Sequence, residues 1–478
     1  MATLARLGGW ANQYSALSCL LGALAIVSSL IPSPIPINNQ ITGRIRTPKG
    51  PASGALVSPA SHSGLAAQTD LSGNYSIPRQ GQFNWIAALE GHYLEPTSGG
   101  DLLLTPIPKD HPDSPWIDPT PGASTKACGN CHQQAFAHWQ NSAHQKSASG
   151  LILQNMLAQP TGNQYSWHLL ATHPEGAAAC IACHAPGQSS LNAELPLQGP
   201  LSGTHCDLCH KVKALASGTP GLTHGRDLFE FARPATSQRP VVIGPLADST
   251  RENVAYSSLF KKSQICSPCH EGTVLGAKVY TSFSEWQAWG GSQTCQDCHM
   301  PAISPREHHH EMSASLARQT GGLRARWSTE KSPNALIVHL DIWAEGLGHA
   351  LPTGHIDRHI LGTIMATDAN NRPLNSLSAD NLVPAWASGL PNSIPGFLLA
   401  RWQQINGTAP HPFWMPGGNW YDSRLLPASR QHFTWKFPPQ TSKLHLRIEH
   451  RRAWPELLRQ NNLTVPSEVL WDETRNLN

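Results

Sequence analysis

Little in this chain is charged. Only 14% of the 478 residues are Asp, Glu, Lys or Arg, and the 34 basic ones barely outnumber the 31 acidic ones, so no basic face for gripping nucleic acid is expected. Beyond residue 36 no apolar run is long enough to cross a bilayer, so the rest of the chain is expected to be soluble or peripheral. Methionine is scarce, at six. Cysteine outside one recurring motif is scarcer: of eleven, only Cys19 stands apart, which leaves no material for a disulfide scaffold. Between residues 126 and 312 even regular hydrophobic periodicity is weak.

What is present is Cys-x-x-Cys-His, five times: Cys128/Cys131/His132, Cys180/Cys183/His184, Cys206/Cys209/His210, Cys266/Cys269/His270 and Cys295/Cys298/His299. This is the attachment signature of c-type haem. Two thiols at this spacing can form thioethers with both vinyl groups of one porphyrin, and the next residue is an imidazole placed to ligate its iron. Zinc ribbons pair Cys-x-x-Cys units without needing the histidine, and a thioredoxin-like redox motif would occur once. Five covalently bound c-type haems are expected, with the ten motif cysteines as anchors and the five motif histidines as proximal ligands. Porphyrins would then fill the space that a side-chain core fills elsewhere. They would bring about ten propionates and roughly five ferric charges, taking the formal +3 to about −2 when oxidised and about −7 when reduced.

Such haems are attached outside the cytoplasmic membrane, and the N-terminus fits export. Arg6 precedes an uncharged stretch from Ala16 to Ile31 and a proline-rich run from Pro32 to Pro36. Residues 1–36 are expected to be a signal peptide, with Val27 and Ser29 at the cleavage site, or an N-terminal anchor giving membrane association. Ala16-Leu17-Ser18 before Cys19 is a poor lipobox.

Residues 37–108 contain short alternating segments with turn punctuation: Ile41–Ile45, Gly54–Val57 and Thr69–Ile77. They predict a small antiparallel β-sandwich, and the run resembles carboxypeptidase-regulatory-like domains, which implies a structural or adhesive module. The proline-rich stretch Pro106 to Pro121 looks like a linker. Residues 109–321 form the expected haem domain, mostly α-helical or irregular, with helices over 133–156 and around Phe283 to Trp289. Residues 322–455 return to period two, in Leu336–Ile342, Phe433–Phe437 and Leu444–Ile448, predicting a second β-sandwich. Residues 456–478 are expected to be a short helix or a frayed tail. The fold class expected is therefore multidomain, a haem-packed region flanked by two β-sandwiches.

The haem region resembles multihaem cytochromes of the cytochrome c-554 kind, related to the octahaem hydroxylamine oxidoreductases. The carrying residues are Cys128–His132 with Trp139–His144, Cys206–Val212, Gly244-Pro245-Leu246 and Cys295–Pro301. Gly348–Gly354 resembles the "GH-x-PTG" of β domains appended to such proteins. The resemblance implies His144 and His349 as distal ligands, and a histidine among His308, His309 and His310, with His309 the choice. His205 and His224 are further candidates. Relatives carry a histidine after Gly-Pro-Leu, whereas Asp248 to Leu259 holds none, so one iron is expected to recruit His205, His224 or His173 or to lack a protein sixth ligand. Met300 lies too close to His299 to reach the opposite face. His62, His92, His339, His432 and His445 are expected to be ordinary strand or surface residues.

The function these features imply is an exported periplasmic or extracellular cytochrome relaying electrons through closely spaced, mostly bis-histidine haems. Its partners would be redox proteins or an extracellular electron acceptor, with an oligomer or filament open. The alternative is an oxidoreductase acting on a small nitrogen or sulfur compound at an open sixth position; the absence of a Cys-x-x-Cys-Lys motif weighs against it.

Overall fold

The computed structural model describes residues 40–79, 84–158, 176–188, 197–218, 223–274, 276–312, 322–378, 380–415 and 417–477. The N-terminal segment 1–36, Cys19 and His173 lie outside them. The chain divides into two compact units. One comprises the chain up to Leu89 together with Leu94–Thr105 and Ala247–Thr250, and the other holds the rest, including Glu90–Tyr93.

In the first unit the alternating segment Gln40–Thr47 pairs antiparallel with Asn74–Pro78, so that Ile41, Ile45, Tyr75 and Ile77 turn inward. A second sheet runs Ala67–Gln68, Leu56–Pro59, Trp85–Ala88, Glu95–Thr97, and its Val57, Trp85 and Ala87 join the same core. The expectation of wholly antiparallel pairing does not hold, because Gly100–Leu103 lies parallel to Gln40–Thr47. Glycine makes this possible: a Cβ on Gly43 would stand 2.1 Å from the Gly100 carbonyl oxygen.

In the second unit the middle of the chain is built from short pieces. Helices cover Gln133–Asn141, Leu151–Ala158, Gly176–His184 and Ser282–Trp289, and single turns carry the other motifs. The expected continuous helix over 133–156 is two helices, because the backbone becomes extended at Ser142, which places His144 in the connection. Buried apolar groups here are small in number, such as Leu208, Val212 and Phe231.

The C-terminal part carries a three-stranded sheet of Gly322–Lys331, Leu336–Glu345 and Arg430–Phe437. A larger sheet is centred on His359–Thr367 and Lys443–Arg451, and a small one on Arg401–Ile405. Leu336, Val338, Leu340 and Ile342 alternate inward and meet Ile360, Ile364, Leu446 and Ile448 from the larger sheet. Leu340 is fully buried, so Leu340→Ala is expected to cost about 2–5 kcal/mol in denaturant unfolding; a loss within about 0.5 kcal/mol, by contrast, would mean the two sheets do not pack as described.

After the short helix Pro455–Gln460, residues 468–476 form a nine-residue edge strand rather than a frayed tail. Its alternation is masked by charge, but the charges are used. Glu473 accepts from the Trp327 indole at 2.9 Å, and the Arg475 guanidinium lies 3.9 Å from the Trp327 ring centre. A further core is shared between the two parts of this unit: Leu153, Met156, Ala277 and Val279 pack with Ile356, Ala400, Phe413 and Trp414.

Candidate haem sites

Each motif sits on a short helix or turn, and several of these are held at their ends by neighbouring side chains. Thr294 and Asp297 form a reciprocal capping box over Cys295–His299, so one variable residue of that motif serves its own helix. His205 caps Cys206–Cys209, its Nδ1 accepting from the Leu208 amide at 3.1 Å. Asp207, inside that motif, accepts from the Ile117 amide at 2.9 Å and pairs with Lys211 at 3.4 Å, both carboxylate and ammonium being 5% exposed. Gly225 lets the turn after His224 press onto the second motif, since a Cβ there would stand 1.9 Å from the Ala182 oxygen.

The motifs converge. The Cys128 and Cys206 thiols are near neighbours, as are Cys266 with Cys295 and Cys183 with Cys269. Cys209 lies within electrostatic reach of Cys266 and Cys269. The first motif therefore abuts the third, the third abuts the fourth, and the fourth abuts both the second and the fifth.

Among the described residues two of the expected anchors, Cys131 and Cys180, stand outside the thiol contacts that join one motif to the next. Cys131 closes the turn Cys128–Asn130, its amide donating to the Cys128 carbonyl at 3.2 Å, and it is the exposed cysteine among the described motif residues. Cys298 is half-buried on the helix Cys295–His299. The reason is positional. The first, second and fifth motifs each abut one neighbour, and a single thiol, Cys128, Cys183 or Cys295, makes that contact. What marks Cys131 and Cys180 as anchors is thus the thioether spacing.

Across from the motif histidines stand several others. The rings of His144 and His270 have centres 6.1 Å apart, and those of His299 and His349 are 6.3 Å apart. Two imidazoles bound to opposite sides of one metal through bonds of about 2.0 Å have ring centres roughly 6 Å apart. His310 lies near His210, whereas His309 stacks on His138 with centres 4.6 Å apart. His132 accepts a hydrogen bond on Nε2 from Arg251 at 2.7 Å. His184 Nε2 stands 3.2 Å from the Tyr280 hydroxyl. The ring of His224 sits beside Gly272, just after the fourth motif.

The residues fit a haem iron in two further respects. Ligating imidazoles characteristically donate Nδ1–H to a carbonyl, which leaves the Nε2 lone pair for the metal. His184 does so to Ser147 at 2.9 Å, His210 to Ile243 at 2.8 Å, His310 to His308 at 2.8 Å and His349 to Ala350 at 3.0 Å. His205 has the opposite arrangement, because its Nδ1 is the acceptor and the proton rests on Nε2. Burial also keeps the imidazoles neutral. It holds His270 at about 3, helped by His144, His299 and His349, and His310 at about 4, helped by His210. Burial pushes the Cys180 and Cys209 thiols up to about 12, yet both residues keep surface that no protein atom covers, as groups facing a prosthetic group should.

Residues 127–211, which hold the first three motifs, match the family model described as cytochrome c554 and c-prime. A crystal structure of a penta-haem cytochrome c552 from Thermochromatium tepidum superposes with a TM-score of 0.56, at 19% identity, over 74% of this chain and 99% of that one. The fold is that of a multihaem c-type cytochrome. A structure of the ApaA protein from Bordetella pertussis aligns with a TM-score of 0.16 at 10% identity, over 33% of this chain and 94% of that one, too weakly to inform the fold. No curated protein matches.

The candidate sites include residues that carry no signature. Tyr280, His355 and Arg358 gather near the second motif, and Arg251 near the first. His355 is six residues beyond His349 in the same Gly-His-Ala-Leu-Pro-Thr-Gly-His run, which is the one signal that could have flagged it. His339, His432 and His445 sit on strands, where His432 pairs with Asp341 at 3.0 Å and His445 with Asp472 at 2.8 Å. Among the described residues no helix is long and apolar enough to cross a membrane.

Proposed function

We propose that the chain is an exported pentahaem cytochrome that passes single electrons between redox partners. Haem supplies one-electron chemistry at iron, and the chain supplies anchorage, axial imidazoles and spacing. The observation that carries this reading is the pair of histidine couples, His270 with His144 and His299 with His349, each at the separation a doubly ligated iron requires. Such ligation keeps an iron six-coordinate in both oxidation states, which suits transfer. Cys131 and Cys298 complete the thioether pairs of the first and fifth haems. His310 is assigned to the face opposite His210 in place of His309, because its Nδ1 is tied to a carbonyl and it lies near His210. His205 is assigned as a helix cap and His224 as a packing residue.

The N-terminal unit, read as a carboxypeptidase-regulatory-like sandwich, contributes no ligand and orients or docks a partner. The C-terminal part shields the cluster and supplies His349. Mass spectrometry of the denatured, matured protein is expected to show five haem additions; three or fewer would overturn the reading. A second reading, an oxidoreductase acting at one haem, is favoured by one observation: the Nε2 of His184 faces a tyrosine hydroxyl instead of an imidazole.

A further inference from the structure

The indole of Trp289 occupies a slot between two glycines. A Cβ on Gly291 would stand 2.1 Å from its Cη2, and a Cβ on Gly348 would stand 2.9 Å from its Cε3. Neither glycine has the left-handed backbone that favours this residue, so it is the ring that excludes a side chain at both positions. Gly291 opens the segment that leads into Cys295–His299, and Gly348 directly precedes His349. One flat side chain therefore spaces both arms of the His299 and His349 couple, whose ring planes differ by 20°. The helix that carries Trp289 grips the same segment further on. The Ser282 and Thr353 hydroxyls meet at 2.8 Å, and Glu285, one turn before Trp289, accepts from the Thr353 hydroxyl and the Ala350 amide. Leu351 exchanges both backbone hydrogen bonds with Leu425, at 2.8 and 3.0 Å. The chain after His349 is thus tied without the indole, which leaves the indole to fix the residue before it. On the other arm the Trp286 indole donates to the Gln293 carbonyl at 2.8 Å and keeps the chain after Gly290 folded back on the helix.

We propose that Trp289 is a positioning residue for the haem of the fifth motif: wedged between Gly291 and Gly348, it holds the His349 ring nearly parallel to that of His299. An outer group that fixes the orientation of an axial imidazole tunes a metal to which it is not bound. The angle between two axial ring planes governs how the iron d orbitals split, so a near-parallel pair and the near-perpendicular pair of His144 with His270, at 77°, give different low-spin signals. A rigid ring on a helix suits the task, because packing locks its own rotamer. This inference rests on the bis-histidine reading above and deepens it.

The test uses the full-length matured protein, with electron paramagnetic resonance of the oxidised form and a spectroelectrochemical titration. His349→Ala first identifies the fifth haem as the low-spin component that disappears. In Trp289→Ala that component is expected to stay low-spin with altered g values, and one of five midpoint potentials is expected to move while four hold. Gly348→Ala, which leaves the indole in place and presses on it from the other side, is expected to move the same component. Adding Trp289→Phe to Gly348→Ala frees the room that the methyl takes and is expected to return the signal toward wild type, as a spacer requires. A high-spin haem in Trp289→Ala would support the assignment in a stronger form, the ligand itself being released. Wild-type g values and potentials in both Trp289→Ala and Gly348→Ala overturn the proposal whatever the melting temperature does, since Trp289 is then packing alone. A change confined to a different haem overturns it as well. If His349→Ala removes no low-spin component, His349 is not a ligand, and the reading beneath fails instead.

Discussion

Replacing His349 with alanine is expected to convert one haem from low spin to high spin while the others keep their spectra. The ring of His349 lies 6.3 Å from that of His299 and nearly parallel to it, at 20°, with its Nδ1 held by the Ala350 carbonyl. Removing it strips one axial ligand and leaves space for water or an added anion. His144→Ala should do the same to the haem of the fourth motif, where the rings are close to perpendicular at 77°. The informative control is His205→Ala. It should leave every spin state unchanged and lower stability by about 1 kcal/mol, the ordinary worth of a helix cap. Low-spin spectra in both the His349 and His144 variants would dismiss the two assignments together.

Glu285→Ala is expected to destabilise the second unit by about 3–5 kcal/mol, the range seen when one partner of a buried ion pair is removed. The Glu285 carboxylate, 13% exposed, accepts from Arg424 at 2.6 Å, Arg424 being 9% exposed. It also accepts from the Thr353 hydroxyl at 2.8 Å and the Ala350 amide at 3.2 Å. It therefore pins the segment that carries His349, and the His299 haem should be the first to change as denaturant is raised. Thermal unfolding followed at that haem and by far-ultraviolet dichroism measures both effects; a variant within about 1 kcal/mol of wild type would mean that Asp422 alone satisfies Arg424. Removal of residues 322–478 takes away Ile356, Phe413 and Trp414 from a core shared with Leu153 and Val279, so loss of folded protein is expected.

The motifs were legible because thioether chemistry dictates their spacing, and the main strands because burial on one face dictates period two. Leu336–Ile342 falls within Leu336–Glu345, and Leu444–Ile448 within Lys443–Arg451. The spacing does not say which thiol meets a neighbouring motif, so nothing in the sequence separates Cys131 from Cys128 or Cys180 from Cys183. The last strand was hidden because an edge needs little apolar surface and Asp472, Glu473 and Arg475 are spent on local pairs. The parallel pairing of Gly100–Leu103 was hidden because period two says which face is buried and nothing about strand direction. Among His308, His309 and His310 the sequence has no means of choice, since three adjacent histidines are indistinguishable until the chain bends and sets His309 on His138 and His310 near His210. Tyr280 and Arg358 could not be found in the same way, since a tyrosine on a two-stranded ribbon and an arginine after a turn have no periodic partner to betray them.

The contacts among the thiols have a consequence for traffic. With a haem on every motif, the fourth is the one whose removal splits the set into three islands, of one, two and one. Loss of the second or the fifth leaves a continuous path of four. A wire tolerates damage nowhere along its length; a junction concentrates its vulnerability at the crossing and lets its arms fill independently. On the relay reading proposed above, two electrons would wait on different arms of the same chain.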